Sequence, residues 1–267
     1  MKQLNLQETK QIQLDILQSI HDCCVKKGIK YSICGGTLIG AVRHKGFIPW
    51  DDDIDIFLLR EEYDKLINSF KDESGRYVLH CLENDPNYNY PFAKVEDSRT
   101  FIAEKVTAYH IGVNIDVFPV DNCCDTEEES LAYIRGAKKY QTLYKGKLVI
   151  PGKRNSFTTR LSIYGVKLIT CFNSLRSLAE KLTKYSKGGK DYSKYVATMV
   201  SGYGIKELQP RSNFSSFIML PFEDREFLAI KEYDRYLKSV YGDYMKLPPE
   251  DKRHSPHTID GIYLKEA

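Results

Sequence analysis

Residues 35–58 read GGTLIGAVRHKGFIPWDDDIDIFL: two glycines and a threonine open an apolar stretch, and four carboxylates in five positions then run straight into a second one. The glycines follow IKYSIC (29–34), a short strand-like run, so strand, tight turn and helix are expected in succession. DIDIFLL (53–59) alternates, which places Asp53, Asp55 and Phe57 on one wet, charged face of a strand and Ile54, Ile56 and Leu58 on a core face. Like charges two apart on a strand repel, and carboxylates set against a core are costly unless paired. A hard divalent cation is the usual partner, since Mg²⁺ takes one or two carboxylates and completes its shell with substrate phosphates.

A third acid sits in similar surroundings. Asp116, in VNIDVFPVD (113–121), is flanked by Ile115 and Val117. If its strand lies beside the first, Asp53, Asp55 and Asp116 converge, with Asp53 and Asp55 holding Mg²⁺ (Mn²⁺ as a substitute) and Asp116 binding metal or taking the proton of an attacking hydroxyl. By alternation Asp51 shares the metal face, as a further ligand or as a support behind the ligands, whereas Asp52 points elsewhere. Gly35, Gly36 and Thr37 can let backbone N–H groups approach a phosphate at a helix N-terminus. Arg43 could clamp phosphate with two parallel donors, and His44 could assist. Lys94 and Arg99 bracket a strand-like segment and are candidate diphosphate contacts, while Arg253, His254 and His257 in the proline-interrupted tail are candidate substrate contacts. Trp50 and Pro49 are expected to set the entry angle of the acidic strand.

Strand, Gly-Gly-Thr and helix, Asp-x-Asp on the next strand and a distant third Asp resemble the nucleotidyltransferase (polymerase beta-like) superfamily. The longer string at 35–58 is similar to the LicD family in particular, the phosphocholine-transferase group that includes the fukutin-related proteins. NIDVFPVD, PFAKVEDSRT and YGDYMKLPPEDKRHSPH are similar to later motifs of that family, so the likeness covers 15–121 and about 217–258. The resemblance implies transfer of a phospho-substituent from a CDP-alcohol such as CDP-choline to a hydroxyl of a glycan, lipid-linked or not, with release of CMP. It places Asp53, Asp55 and Asp116 on the family's metal positions and Gly35, Gly36 and Thr37 on its phosphate turn.

Around that stretch, 7–27 has the i, i+4 spacing of a helix closed by Gly28. YVLHCL, PFAKVED, RTFIAE and VNIDVF read as strands, and REFLAIKEYDRYLKSVYG (225–242) as one amphipathic helix. The expected class is α+β: a nucleotidyltransferase-like mixed sheet over 1–125, a basic helical region over 126–205, and a C-terminal segment over 206–267 that completes the site. Content of 42% apolar and 12% aromatic residues fits a globular chain. Seven cysteines with no CxxC argue for reduced thiols and against zinc. Charged and amide residues interrupt the apolar pairs of the first 28 residues, so no signal-peptide core is visible and the cytoplasm is the expected location.

The net charge of +3 conceals an asymmetry. Between Arg135 and Lys194 there are fifteen Lys or Arg and two acids, Glu180 and Asp191. Such a segment suits peripheral contact with an anionic leaflet, and the apolar run at 161–175, broken by Lys167, could lie on a membrane but is too short to cross one. Two other readings stay open: a nucleotidyltransferase that attaches a nucleotide to a small molecule or protein, and a basic membrane- or nucleic-acid-binding module. No zinc-finger, RNP or basic-helix pattern supports a nucleic-acid partner.

Overall fold

Alternation does put the acidic stretch at the head of a strand, although the strand begins at Asp55 and not at Asp53. A computed structural model describes residues 1–103, 110–150, 156–253 and 261–265. Along the chain come β1 (Lys2–Gln3), α1 (Leu6–Lys27), β2 (Ser32–Ile33), α2 (Gly35–Arg43), β3 (Asp55–Leu59), α3 (Arg60–Ser69), β4 (Tyr77–His80), β5 (Ala93–Asp97), β6 (Thr100–Ala103) and β7 (Asn114–Asn122). Then follow α4 (Glu127–Leu148), α5 (Phe157–Ile169), α6 (Leu175–Ser186), β8 (Tyr195–Ala197), β9 (Gln209–Pro210), β10 (Phe217–Phe222), β11 (Arg225–Ile230), α7 (Tyr233–Tyr241) and β12 (Gly261–Leu264).

The fold is α+β. Its main sheet runs β2-β3-β7-β5-β4, with β8 and then β9 continuing from the far end of β7. Among the described residues β3 and β7 are the parallel neighbours of this sheet, and its other pairings are antiparallel. A parallel pair needs a long crossover, and here the crossover includes α3, β4, β5 and β6. Beneath the sheet α1 buries Ile16, Leu17, Ile20 and Cys24 at helical spacing. Its start is fixed by a capping box between Asn5 and Glu8, with both reciprocal bonds at 2.9 Å, and its end by Gly28 at φ +65°.

The wet face expected for Phe57 is covered. Phe57 is 2% exposed and packs on Phe214 and Tyr236, each 5.1 Å away between ring centroids, so on that side only the two ends of β3, Asp55 and Leu59, stay partly accessible. The expected helix over 225–242 is also divided. Arg225–Ile230 instead pairs with β10 as a hairpin through Glu223 and Asp224, burying Phe227 and Ala229, and the helix begins only at Tyr233. Cross-strand burial overrode helix propensity there, and a Glu-Asp turn lacks the Asn-Gly signature that would have announced a hairpin. The middle of the chain is helical, with α4 packed on α5 and α6.

Candidate active site

Pairing of β3 with β7 sets Asp55 directly beside Asp116, and pairing of β5 with β7 sets Lys94 opposite Asp116. Three charged side chains thus stand in a row across the sheet. Lys94 donates to Asp116 Oδ1 and, at 3.1 Å, to Asn114 Oδ1, while its ammonium lies 5.0 Å from the Tyr90 ring centre. Burial works against the Lys94 charge, but Asp116, Tyr90 and Asp55 outweigh it and hold its pKa above the ordinary value. Lys94 is therefore the partner of Asp116 in this structure.

The glycine turn meets the acids at close range. Helix α2 starts at Gly35 itself, with φ +57°, a conformation open to glycine at little cost. A Cβ at Gly35 would lie 3.2 Å from Asp55 Oδ2, and one at Gly36 would lie 2.5 Å from Asp51 Oδ2. Thr37 is buried, and its hydroxyl accepts the backbone N–H of Asp55 at 2.8 Å, tying the first turn of α2 to the head of the acidic strand. Within the preceding loop, Gln13 donates to the Asp52 carbonyl at 2.9 Å, so α1 also fixes the approach.

Among the described residues, the three carboxylates that each bring an oxygen within 4.8 Å of the others are Asp51, Asp52 and Asp53. Asp52 does not point away as strand alternation would have it, because residues 51–54 precede β3 and need not alternate. Burial first, then repulsion from Asp53 and Asp116, pushes the Asp55 carboxyl well above the usual carboxylate range, with Lys94 opposing. Such a donor set fits a hard divalent cation: oxygen ligands only, excess negative charge, and one carboxyl that resists ionising without a positive neighbour.

Other expected contacts lie elsewhere. Arg43 donates to the Tyr244 carbonyl at 2.7 Å and to His44 Nε2 at 2.9 Å, and burial followed by the Arg43 charge lowers the His44 pKa, so this pair links α2 to the C-terminal segment. Arg99 clasps Asp97 through two nitrogens, at 3.1 and 2.9 Å, where Arg76 also binds. Arg253 donates to the Pro248 carbonyl at 2.9 Å and lies 5.7 Å from the Trp50 ring, next to Asp51. Residues 254 and 257, the two tail histidines, lie outside the described residues.

A cleft of 520 Å³ opens over Gly35, Gly36, Asp51, Asp53 and Asp55. Its other wall was not anticipated: Tyr144 and Lys145 come from α4, and Ser201, Tyr203 and Glu207 from the segment after β8. No sequence signal marked them beyond the basic charge around Lys145. Burial lowers the Lys145 pKa, and among the described residues no acid is its ion-pair partner.

A family model described as LicD/FKTN/FKRP, nucleotidyltransferase domain, matches residues 28–157. The lipopolysaccharide cholinephosphotransferase LicD of Haemophilus influenzae is 32% identical over 99% of this chain and 100% of its own length. The chain belongs to the LicD family. Shorter matches join this LicD-family chain to uncharacterized proteins of Rickettsia typhi, 39% identical over 30% of the chain and 26% of that protein, and of Rickettsia prowazekii, 49% identical over 18% of each.

One LicD-family residue of the second wall carries a pH prediction. Glu207 is 5% exposed, and burial, against the Ser201 hydrogen bond, pushes its carboxyl up to about 7. Between its ordinary 4.5 and about 7 the folded chain holds a proton there that the unfolded chain has released, so its effect on stability worsens as pH rises through that window. Glu207→Gln is expected to melt several degrees above the parent at pH 8 and level with it near pH 4.5; equal melting differences at both pH values would contradict the assignment.

Proposed function

We propose that this LicD-family enzyme moves phosphocholine, or a closely related phospho-alcohol, from a CDP-activated donor such as CDP-choline to a glycan hydroxyl, releasing CMP. The observation that carries the reading is the placement of Asp55 and Asp116 side by side on parallel strands, against the Gly35–Gly36 turn. Support for the cargo and acceptor comes from the Haemophilus relative, a lipopolysaccharide cholinephosphotransferase by name.

Asp51, Asp53, Asp55 and Asp116 are the residues that would hold Mg²⁺ or Mn²⁺, with Asp52 beside them. A bound cation of this kind neutralises diphosphate charge and the charge that develops on the leaving phosphate. The first turn of α2 offers backbone N–H groups to the phosphates. The acceptor oxygen forms a bond to the phosphorus that carries choline as the bond from that phosphorus to the CMP oxygen breaks; the hydroxyl proton passes to a carboxylate, for which Asp116 is the candidate where it does not itself bind the cation. Positioning and charge stabilisation supply the catalysis.

Incubation with Mg²⁺ and a panel of CDP-alcohols, with lipopolysaccharide as acceptor, is expected to yield CMP with CDP-choline among the best donors, and chelation by EDTA to stop it. Release of pyrophosphate from a nucleoside triphosphate, with no CMP from any CDP-alcohol, would instead establish the nucleotidyltransferase alternative.

Peripheral contact with an anionic leaflet belongs to the same proposal. In and just beyond α5, Leu161, Leu168, Ile169 and Phe172 are exposed, Phe172 fully, and no acidic residue occurs between Glu129 and Glu180. Apolar side chains in a purely basic surround are the makeup of an interfacial helix. Among the described residues no helix is long and apolar enough to cross a membrane. The protein is expected to sediment with phosphatidylglycerol vesicles and less with neutral ones at moderate salt; no preference removes the membrane contact.

A further inference from the structure

The wall opposite the acids has a chemistry that phosphate transfer does not use. Glu207 is held in place by the Ser201 hydroxyl, which donates to Oε1 at 2.8 Å, and among the described residues no lysine, arginine or histidine pairs with it. Tyr203 and Tyr241 meet edge to face, with ring centres 5.2 Å apart. All four residues line the same cleft as the aspartates. A Cβ at Gly35 would lie 3.5 Å from the Tyr241 hydroxyl and 3.2 Å from Asp55 Oδ2, so this wall begins beside the phosphate turn.

A buried carboxylate without a cation, next to aromatic rings in an open cleft, suits a ligand that brings positive charge and no hydrogen-bond donor. A polar ligand would leave the rings unused, and an anion would be met by the Lys145 ammonium beside Gly202, not by Glu207. Aromatic faces attract a quaternary ammonium through the ring quadrupole, and a cation seated beside Glu207 favours its ionised form, adding a charge pair in a partly desolvated place. We propose that Glu207, Tyr203 and Tyr241 form the subsite for the quaternary ammonium head of the transferred phospho-alcohol. This deepens the phosphocholine reading given above and rests on it. The head would sit against this wall while its phosphate lies at the glycine turn. The competing role for Glu207 is a contact to the ribose hydroxyls or base of the nucleotide, and the two roles differ in what removing the charge does to different donors.

The test compares kcat/KM for CDP-choline and CDP-glycerol in the full chain, its Glu207→Gln variant and its Tyr203→Leu variant, with calorimetric titration of phosphocholine and of CMP alongside. Glu207→Gln keeps the shape and the Ser201 contact, and a melting scan confirms that each variant folds. The expected result is a fall of about 30-fold in the preference for CDP-choline over CDP-glycerol in Glu207→Gln, a smaller fall in Tyr203→Leu, and weakened phosphocholine binding with CMP binding retained. Equal losses for both donors, or weakened CMP binding, would assign Glu207 to the nucleotide and overturn the subsite, as would an unaltered donor preference or no phosphocholine binding by the parent chain. If no CDP-alcohol yields CMP while phosphocholine binding still depends on Glu207, the transfer reaction fails and the subsite stands. If CMP forms from CDP-choline while donor preference ignores Glu207, the reaction stands and the subsite fails.

Discussion

Asp53→Asn is expected to lower CMP release from a CDP-alcohol by about a thousandfold or more, while the melting temperature stays level or rises. Asp53 shares its neighbourhood with Asp51 and Asp52, oxygens within 4.8 Å, and its charge helps to push the Asp55 carboxyl upward. Replacing one carboxylate with an isosteric amide relieves repulsion among these acids, which offsets what the fold loses with the charge. It also removes a hard anionic ligand at the place where a divalent cation would be held, and an amide oxygen is a much poorer substitute. Turnover and melting should therefore move independently. An Asp53→Asn enzyme within tenfold of the parent would eliminate the carboxylate cluster as the cation site; a large drop in melting temperature would mean that the residue is a structural support.

Lys94→Met should have the opposite profile, losing both stability and activity. The ammonium is enclosed between the Tyr90 and Phe92 rings, 5.0 and 5.5 Å from their centres, and bonded to Asp116. Taking it away leaves Asp116 without its counter-charge beside Asp55, a change that costs about 3–5 kcal/mol when a buried pair loses one partner. For a chain of this size that corresponds to about 10 °C in melting temperature. The Lys94 pKa is raised above 10.5, so its own charge contributes fully below that pH; with Lys94 gone the already raised Asp55 carboxyl takes a proton more readily, so the deficit should be smaller at pH 6 than at pH 9. Adding Asp116→Asn to Lys94→Met should restore most of the stability and none of the CMP release. A double variant no more stable than Lys94→Met would show that the pair contributes little.

Half of this cleft could be read from the sequence. Gly35, Gly36, Asp53 and Asp55 were legible because a short-range pattern, glycines before a helix and acids before an apolar strand, carries its own physical cost and so announces a purpose. Asp116 was legible by the same argument, one carboxylate in an apolar run. Thr37 was singled out, but its buried hydroxyl accepts from the Asp55 backbone, a role that depends on how α2 and β3 meet. Arg43 lies between the glycine turn and the acids, and Lys94 and Arg99 bracket a strand-like segment; spacing could not show that Arg43 would bind the Tyr244 carbonyl, that Arg99 would bind Asp97, or that strand register would give Lys94 to Asp116. The apolar period of 225–242 suits a helix, and the strand at its start depends on β10, which supplies the partner it pairs with. Glu207, Tyr203 and Lys145 were invisible for a simpler reason: they reach the cleft from a short turn and an exposed helix face whose destination is set only by tertiary packing.

The two sides of the cleft come from separate stretches of chain, the aspartates and glycine turn from residues 35–55, the tyrosine and glutamate side from residues 201–241, with Tyr144 and Lys145 of α4 beside it. On the proposed assignment, reaction and cargo choice are encoded in different places and can drift independently. A descendant that kept the first stretch and rebuilt the second would run the same displacement on a different alcohol phosphate, so a diversity of surface decorations requires no reinvention of the chemistry that attaches them.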